Sequence, residues 1–82
     1  MRIDKFLDAT NIIKRRSIAQ DLISHKLVSI NGAIVKSSRE VKIGDIIEIK
    51  FLEYSKKYKI LAIPATKNIP KNTKSLFVEE IF

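Results

Sequence analysis

The sequence of 82 residues has no cysteine and no tryptophan, one histidine, two glycines and two prolines. Without cysteine, neither a disulfide framework nor a thiolate metal site can hold the fold together, which fits a reducing compartment. A chain this short has room for one core at most, so we expect a single compact domain. Its 45% hydrophobic and 30% charged residues are typical of a globular protein rather than a disordered one.

The sequence also offers little for catalysis, cofactor binding or membrane insertion. His25 is the only histidine, no pair of acidic residues has a spacing that predicts a shared cleft, and no glycine-rich phosphate loop occurs. No apolar run approaches the roughly 18 residues of a membrane span, and the charged residues 1–5 do not resemble a signal peptide. We therefore expect a cytoplasmic protein with no catalytic residues, no cofactor and no metal site.

Positive charge is in excess. Sixteen Lys and Arg residues against nine Asp and Glu residues give a formal net charge of +7. Residues 1–39 hold eight of these cations and three of the acids, which leaves +5 in the first half of the chain. Such an excess in a short chain favours a polyanionic partner, and composition alone fits both nucleic acid and anionic lipid.

Apolar residues at helical spacing predict two short helices. Ile3, Phe6 and Leu7 fall on one face of the first helix, which opens the chain. The second is predicted to begin near Ser17, because Ser17 and Gln20 have the spacing of a capping box, in which two side chains satisfy free backbone N–H groups. The two helices should pack as a hairpin.

The rest of the chain predicts a small, mostly antiparallel sheet. Asn31 and Gly32 lie between two β-rich runs and predict a tight hairpin, because both residues tolerate positive φ. After a turn at residues 44–45, the alternation over residues 47–51 predicts a strand, and residues 58–63 predict its return partner. The predicted fold class is therefore α+β, with a two-helix αα motif packed on the sheet and a C-terminal extension.

The end of the chain is assigned separately from the domain. We divide the sequence into a domain of residues 1–64 and a linker and C-terminal tail of residues 65–82. Residues 65–75 show no periodicity, which predicts a linker. Residues 76–82 are too apolar for a purely solvated tail, and the sequence leaves open whether they dock on the domain or on a partner.

The main candidate for function is a cluster of cations at the start of the second helix. Lys14, Arg15 and Arg16 immediately precede the expected Ser17 cap. Free backbone N–H groups and the helix dipole favour phosphate at this position, and Arg adds planar, forked donors that match phosphate oxygens. Other cations could extend this surface into a stripe that follows an RNA backbone, namely Arg2, Lys5, Lys36 and Arg39.

Two polar residues, Asp4 and Asn31, each allow two interpretations. Asp4 compensates the positive start of the first helix, or it accepts charge-assisted hydrogen bonds that orient Arg2 or the arginines of the Lys14–Arg16 triplet. Both roles can hold together. Asn31 is explained by turn chemistry, although its side chain at the hairpin tip could also contact a base or sugar edge.

The order and spacing of these motifs resemble the S-four RNA-binding domain over about residues 1–52. The residues that carry the resemblance are Arg2-Ile3-Asp4-Lys5-Phe6-Leu7, Lys14-Arg15-Arg16-Ser17, Val28-Ser29-Ile30-Asn31-Gly32, Lys36-Ser37 and Gly44-Asp45. The resemblance implies that structured RNA binds the loop and the start of the second helix. It implies Arg16 and Arg2 as leading contacts, supported by Lys5, Lys14, Arg15, Lys36 and Ser37, with Asp4 as their organiser. One departure is that His25-Lys26-Leu27 stand where the family usually has a glycine.

Among free-standing S-four proteins, the chain is most similar to ribosome quality-control factors of the RqcP type, and next to the small heat-shock S-four protein. The resemblance implies binding of large-subunit rRNA and P-site peptidyl-tRNA on obstructed subunits, while an RqcH-type factor adds alanine tails. It implies a ribosome-associated protein without a membrane partner, and we expect a monomer off the ribosome. Subunit recycling and ribosome assembly stay open. So do two other classes, a DNA-binding module and a protein adaptor that uses residues 76–82.

Overall fold

The computed structural model describes residues 1–65 and 71–81 and shows two short helices packed on a five-stranded sheet. Neighbouring strands are all antiparallel and follow the order β2-β1-β3-β4-β5. The predicted α+β class is therefore confirmed. No helix in the described part of the chain has the length and apolar character to span a bilayer. The elements are α1 (Ile3–Ala9), α2 (Arg16–Ser24), β1 (Val28–Ile30), β2 (Ala33–Ile34), β3 (Ile46–Lys50), β4 (Ser55–Ile60), a 3-10 helix (Lys71–Leu76) and β5 (Val78–Ile81).

The hydrophobic core lies between the helices and one face of the sheet. Ile3, Phe6 and Leu7 of α1 are fully buried, as their spacing predicts, and they join Ile47 and Ile49 of β3 in one cluster. Burying a side chain of this size stabilises a fold by about 1.5–3 kcal/mol. The apolar face of α1 therefore fixes which side of that helix points toward solvent.

The first residues of the chain are tied to the loop before β3. Arg2 forms an isolated antiparallel bridge with Glu40, and the backbone N–H of Ile3 donates to the carbonyl of Arg39 at 2.8 Å. These contacts place Arg2 beside the loop that follows β2. The start of α1 is therefore fixed at both its backbone and its buried face.

Helix α2 begins one residue earlier than predicted and lacks the capping box. Arg15 is the N-cap and makes no side-chain cap hydrogen bond, while Ser17 is exposed. The predicted pairing of Ser17 with Gln20 is wrong. A helix that starts at Arg16 places Gln20 one turn later on the same face, where its amide binds Asp4 instead.

The end of α2 is a Schellman motif built without glycine. The N–H of Leu27 donates to the carbonyl of Leu22, and the N–H of Lys26 donates to the carbonyl of Ile23, both at 3.0 Å. His25 is the C-cap, and Lys26 takes the left-handed position with φ 62°. The departure from the family pattern therefore leaves the geometry of the cap intact and places a lysine where glycine is favoured.

The hairpin between β1 and β2 has the predicted two-residue turn. Asn31 and Gly32 have φ values of 52° and 86°, as a type I′ turn requires. The Asn31 side chain also pins the turn to β3, because its amide donates to the Asp45 carboxylate at 3.1 Å and its oxygen accepts the N–H of Ile46 at 3.0 Å. The hairpin and β3 are thereby held in one register.

Strand β4 begins and ends three residues earlier than the predicted return strand of residues 58–63. The turn occupies residues 51–54, and Lys56 and Lys57, which precede the predicted strand, lie within the observed one. Lys57 is directly opposite Glu48 of β3, and such a pair of opposite charges stabilises neighbouring strands. Cross-strand pairing therefore outweighs the low intrinsic strand preference of lysine.

The C-terminal run docks on the domain. Strand β5 pairs with β4 over its whole length, and Val78 is buried in the core. The predicted linker of residues 65–75 falls partly on residues 66–70, which lie outside the described residues, and Lys71–Leu76 forms the 3-10 helix. The division after residue 64 stays a prediction, but β5 is part of the same sheet.

Replacing Lys26 with glycine should stabilise the fold. A non-glycine residue in the left-handed region costs about 1–2 kcal/mol, while the greater freedom of glycine in the unfolded chain offsets part of this gain. We expect the free energy of unfolding to rise by about 0.5–1 kcal/mol in urea titrations. Lys26→Ala is the matched control, because it removes the same charge and keeps the strain; an equal gain in that variant would contradict the explanation.

Candidate nucleic-acid interface

Asp4 is a fully buried carboxylate that polar groups from three segments surround. Within α1, the N–H of Lys5 donates to Oδ1 at 2.8 Å. From α2, Arg16 Nε at 3.2 Å and Gln20 Nε2 at 3.1 Å both donate to Oδ2. From the N-terminal segment, Arg2 Nε lies 3.5 Å from Oδ1. We call Asp4, Arg2, Arg16 and Gln20 the Asp4 cluster.

The donors in this cluster determine the ionisation of Asp4. Burial by itself would raise the pKa of the carboxyl group. Hydrogen bonds from Gln20, the Lys5 N–H and Arg16, together with the charge of Arg16, outweigh burial and hold the pKa of Asp4 below its ordinary value of 3.8. Asp4 is therefore an anion at neutral pH, and it binds both arginines as ion pairs.

Each arginine of the Asp4 cluster has an inner part that faces Asp4 and an outer part that faces solvent. Asp4 is 0% exposed, whereas the side chains of Arg2 and Arg16 are 44% and 37% exposed. Arg2 Nε also donates to the backbone carbonyl of Ser37 at 3.4 Å. Because the inner donors are fixed, the outer N–H groups are oriented before a ligand arrives, which lowers the entropic cost of binding.

The loop after β2 extends this surface. A groove runs from Gln20 and Ser24 of α2 to Lys36 and Ser37 of that loop. Two of the predicted supporting residues, Lys36 and Ser37, are therefore adjacent to the Asp4 cluster. Lys26 also lines this groove, so two lysines contribute positive charge to it.

Further predicted site residues lie at the start of α2 and on α1. Lys14, Arg15 and Ser17 are exposed, while Lys5 of α1 is half-buried. Within the described residues Arg15 makes no ion pair with Asp4, so only two of the arginines expected as its partners contact it. With no side-chain cap on the first turn of α2, its backbone N–H groups stay available to an anion.

Among the predicted site residues, Asn31 has a side chain that is engaged within the fold. Both polar atoms of its side chain are used within the fold, by Asp45 and by the N–H of Ile46. This geometry supports the turn interpretation. Contact between Asn31 and a base or sugar edge stays a prediction.

Gln20 is a member of the site that the sequence analysis placed in a different role. Its position four residues after Arg16 was the available signal, because that spacing puts both side chains on one helix face. The arrangement as a whole presents fixed cations and hydrogen-bond donors. Among residues 1–65 and 71–81, no group of three or more His, Asp or Glu residues could hold a metal ion.

Asp4→Asn should destabilise the protein in a pH-dependent way. At neutral pH we expect a loss of about 1.5–3 kcal/mol, the range for hydrogen bonds to a charged group. Because the folded pKa of Asp4 lies below its unfolded value, this stabilisation is complete above about pH 4 and is lost as the pH falls through the folded pKa. Urea unfolding of both proteins should therefore show a difference that narrows as the solution is acidified.

The matched control is Asp21→Asn, which removes one acidic charge from an exposed position of α2. That substitution should change stability by less than about 0.5 kcal/mol at either pH. A constant difference between Asp4→Asn and the unsubstituted protein across the acid range would contradict the ionic role of Asp4.

Comparisons with known proteins agree with this fold. A family model described as the S4 domain matches residues 1–47. The chain is 44% identical over 78 residues to the RQC P-site tRNA stabilizing factor of Helicobacter pylori, covering 95% of this chain and 93% of the relative. The trimeric structure of Vibrio cholerae heat shock protein 15 superimposes with a TM-score of 0.88 at 27% identity, over 99% of this chain and 81% of that one.

A solution structure of a hypothetical protein gives a TM-score of 0.87 at 41% identity, covering 100% of this chain and 98% of the other. The sequence match, the two superpositions and the family model thus agree on one fold. The family model covers the two helices and the first hairpin, which carry the Asp4 cluster and the adjacent loop. The chain belongs to the S4 domain family, the S-four family that its motifs resemble.

Proposed function

We propose that the chain is a non-catalytic RNA-binding protein of ribosome-associated quality control, which holds rRNA and P-site peptidyl-tRNA on obstructed large subunits. The observation that carries the proposal is the Asp4 cluster, in which one buried carboxylate fixes two half-exposed arginines. The similarity to an RQC P-site tRNA stabilizing factor over nearly the whole chain supports the choice of ribosomal RNA and tRNA.

The geometry of the cluster suits folded RNA better than a flexible strand. Arg2 and Arg16 bind opposite oxygens of one carboxylate, so their outer N–H groups present two phosphate sites at a constrained separation. A folded RNA holds its phosphates at fixed positions and can match such a pair. Contacts of this kind position the protein on the RNA without reading its sequence.

The proposed role is positioning rather than chemistry. Fixed arginines, the open start of α2 and the neighbouring lysines can neutralise phosphate and hold a tRNA against rRNA. An RqcH-type factor would then carry out alanine tailing on the subunit that this protein stabilises. The protein would act in the cytoplasm, associated with the ribosome.

Arg16→Ala should weaken binding to large subunits obstructed by peptidyl-tRNA and reduce its dependence on salt. Because Arg16 would neutralise one phosphate, the slope of log K against log salt concentration should become shallower by about 0.7–0.9. Pelleting with purified subunits across a salt series measures both effects. Arg16→Lys should keep most of the salt slope and still lose affinity, because it keeps the charge without the forked donors.

Lys59→Ala is the control, since it removes the same charge from an exposed residue of β4. We expect it to retain the affinity and slope of the unsubstituted protein. A protein that stays in the supernatant at moderate salt would contradict the ribosomal role, and preference for duplex DNA over structured RNA in competition would contradict RNA binding. Identifying the particle that co-purifies with the protein separates quality control, with peptidyl-tRNA present, from assembly.

A further inference from the structure

The turn between β3 and β4 presents an aromatic ring to solvent on a rigid support. The rings of Phe51 and Tyr54 stack with centroids 4.9 Å apart and planes inclined by 26°. Phe51 also packs against the hydrophobic core, and its N–H donates to the carbonyl of Tyr54 at 2.7 Å. Tyr54 is nevertheless 58% exposed. One ring therefore anchors the turn while the other remains accessible.

The surroundings of Tyr54 are open and carry both lysines and acids, including Glu53 next to it in the turn. A groove beside the ring is lined by Lys56 and Lys57 of β4 and by Glu80 of β5. Lys56 is 3.7 Å from Glu80, which partly neutralises that pair, while Lys57 is exposed and lies opposite Glu48 of β3. Lys50 at the end of β3 is a third exposed lysine beside the turn. A ligand in this groove meets an aromatic face with positive charge next to it.

This turn is separate from the Asp4 cluster. The N–H of Lys50 donates to the carbonyl of Leu27 at 2.8 Å, which places the turn near the C-terminal end of α2. Arg16 is at the other end of the same nine-residue helix, about 13 Å away along its axis. A ligand contacting both sites would have to extend along the length of α2.

We propose that Tyr54 is a stacking platform for an unpaired nucleobase, with the adjoining phosphates at Lys50 and Lys57. The proposal rests on the proposed function in taking RNA as the ligand, and it adds a second contact of a different kind. Aromatic stacking accepts any base, because every base has a flat π face, and neighbouring lysines follow the backbone. Unpaired nucleotides next to a folded region would thus be held at the opposite end of α2 from the Asp4 cluster.

The test compares labelled oligoadenylate, as the unpaired probe, with an RNA duplex of the same length by fluorescence anisotropy at low salt. Tyr54→Ala should weaken oligoadenylate binding by about 5- to 100-fold and change duplex binding by less than about twofold. Its salt slope should match that of the unsubstituted protein, since no charge is removed. Tyr54→Phe keeps the ring and should keep the affinity.

Tyrosine emission gives a second measurement, because the chain has two tyrosines and no tryptophan. Oligoadenylate should quench this emission in the unsubstituted protein, and the quenching should be absent in Tyr54→Phe although binding persists. Ile43→Ala, at an exposed apolar residue in another turn, is the control for general surface effects and should change nothing.

Each other outcome overturns the proposal. An equal loss for both probes in Tyr54→Ala, or failure of Tyr54→Phe to bind, would exclude base stacking. If Tyr54→Ala bound RNA normally but no longer pelleted with ribosomal subunits, Tyr54 would be assigned to a protein contact. If Arg16→Ala weakened duplex binding while Tyr54→Ala changed the binding of neither probe, only the stacking platform would be excluded. If the unsubstituted protein bound neither oligoadenylate nor the duplex, the proposed function would be excluded as well.

Discussion

A single buried carboxylate imposes the main constraint on this small fold. Removing an ionised Asp4 from water costs several kcal/mol unless donors replace the lost hydration. Those donors come from both helices, because Lys5 lies on α1 and Gln20 and Arg16 lie on α2, and Arg2 before α1 adds an ion pair. The helices can therefore pack in only one register that satisfies the charge. Apolar contacts alone would tolerate a small sliding of α1 against α2, whereas the directional hydrogen bonds to the Asp4 carboxylate do not.

The same constraint couples stability to binding. Arg16 takes part in the fold through its inner N–H groups and faces solvent through the rest of its side chain. The phosphate contact that we propose on the outside and the carboxylate contact on the inside therefore share one side chain. A surface built in this way loses less conformational entropy on binding than one made of freely rotating lysines such as Lys14.

Sequence patterns correctly predicted the parts of the fold that depend on interactions between residues close together in the chain. The buried face of α1 follows from residue spacing, and the hairpin turn at Asn31 follows from two residues that accept positive φ. The capping box failed because the partner of Gln20 lies sixteen residues away and is apparent only when the helices are packed. The same limit left Asp4 with two roles, since spacing alone could not show which cations reach a buried carboxylate.

Long-range strand pairing also explains why the observed elements in the second half of the chain differ from the predicted ones. Lys56 and Lys57 precede the predicted return strand of residues 58–63, but the residues opposite them in β3 and β5 complete a strand that begins at Ser55. Docking of residues 78–81 could not be inferred, because it depends on a strand edge that forms only in the folded sheet. The candidate cations Lys14, Arg15 and Arg16 are adjacent in the sequence and could be named from it, whereas the contact of Gln20 with Asp4 could not.

Strand β4 has a further consequence during synthesis of the protein. Its outer edge stays unpaired until β5 has been made, so the incomplete sheet presents backbone groups that could join another chain. Lys56, Lys57 and Lys59 place three positive charges along that edge. Two such edges repel each other, which disfavours strand pairing between nascent molecules. The lysines of β4 therefore disfavour pairing at this edge until β5 covers it.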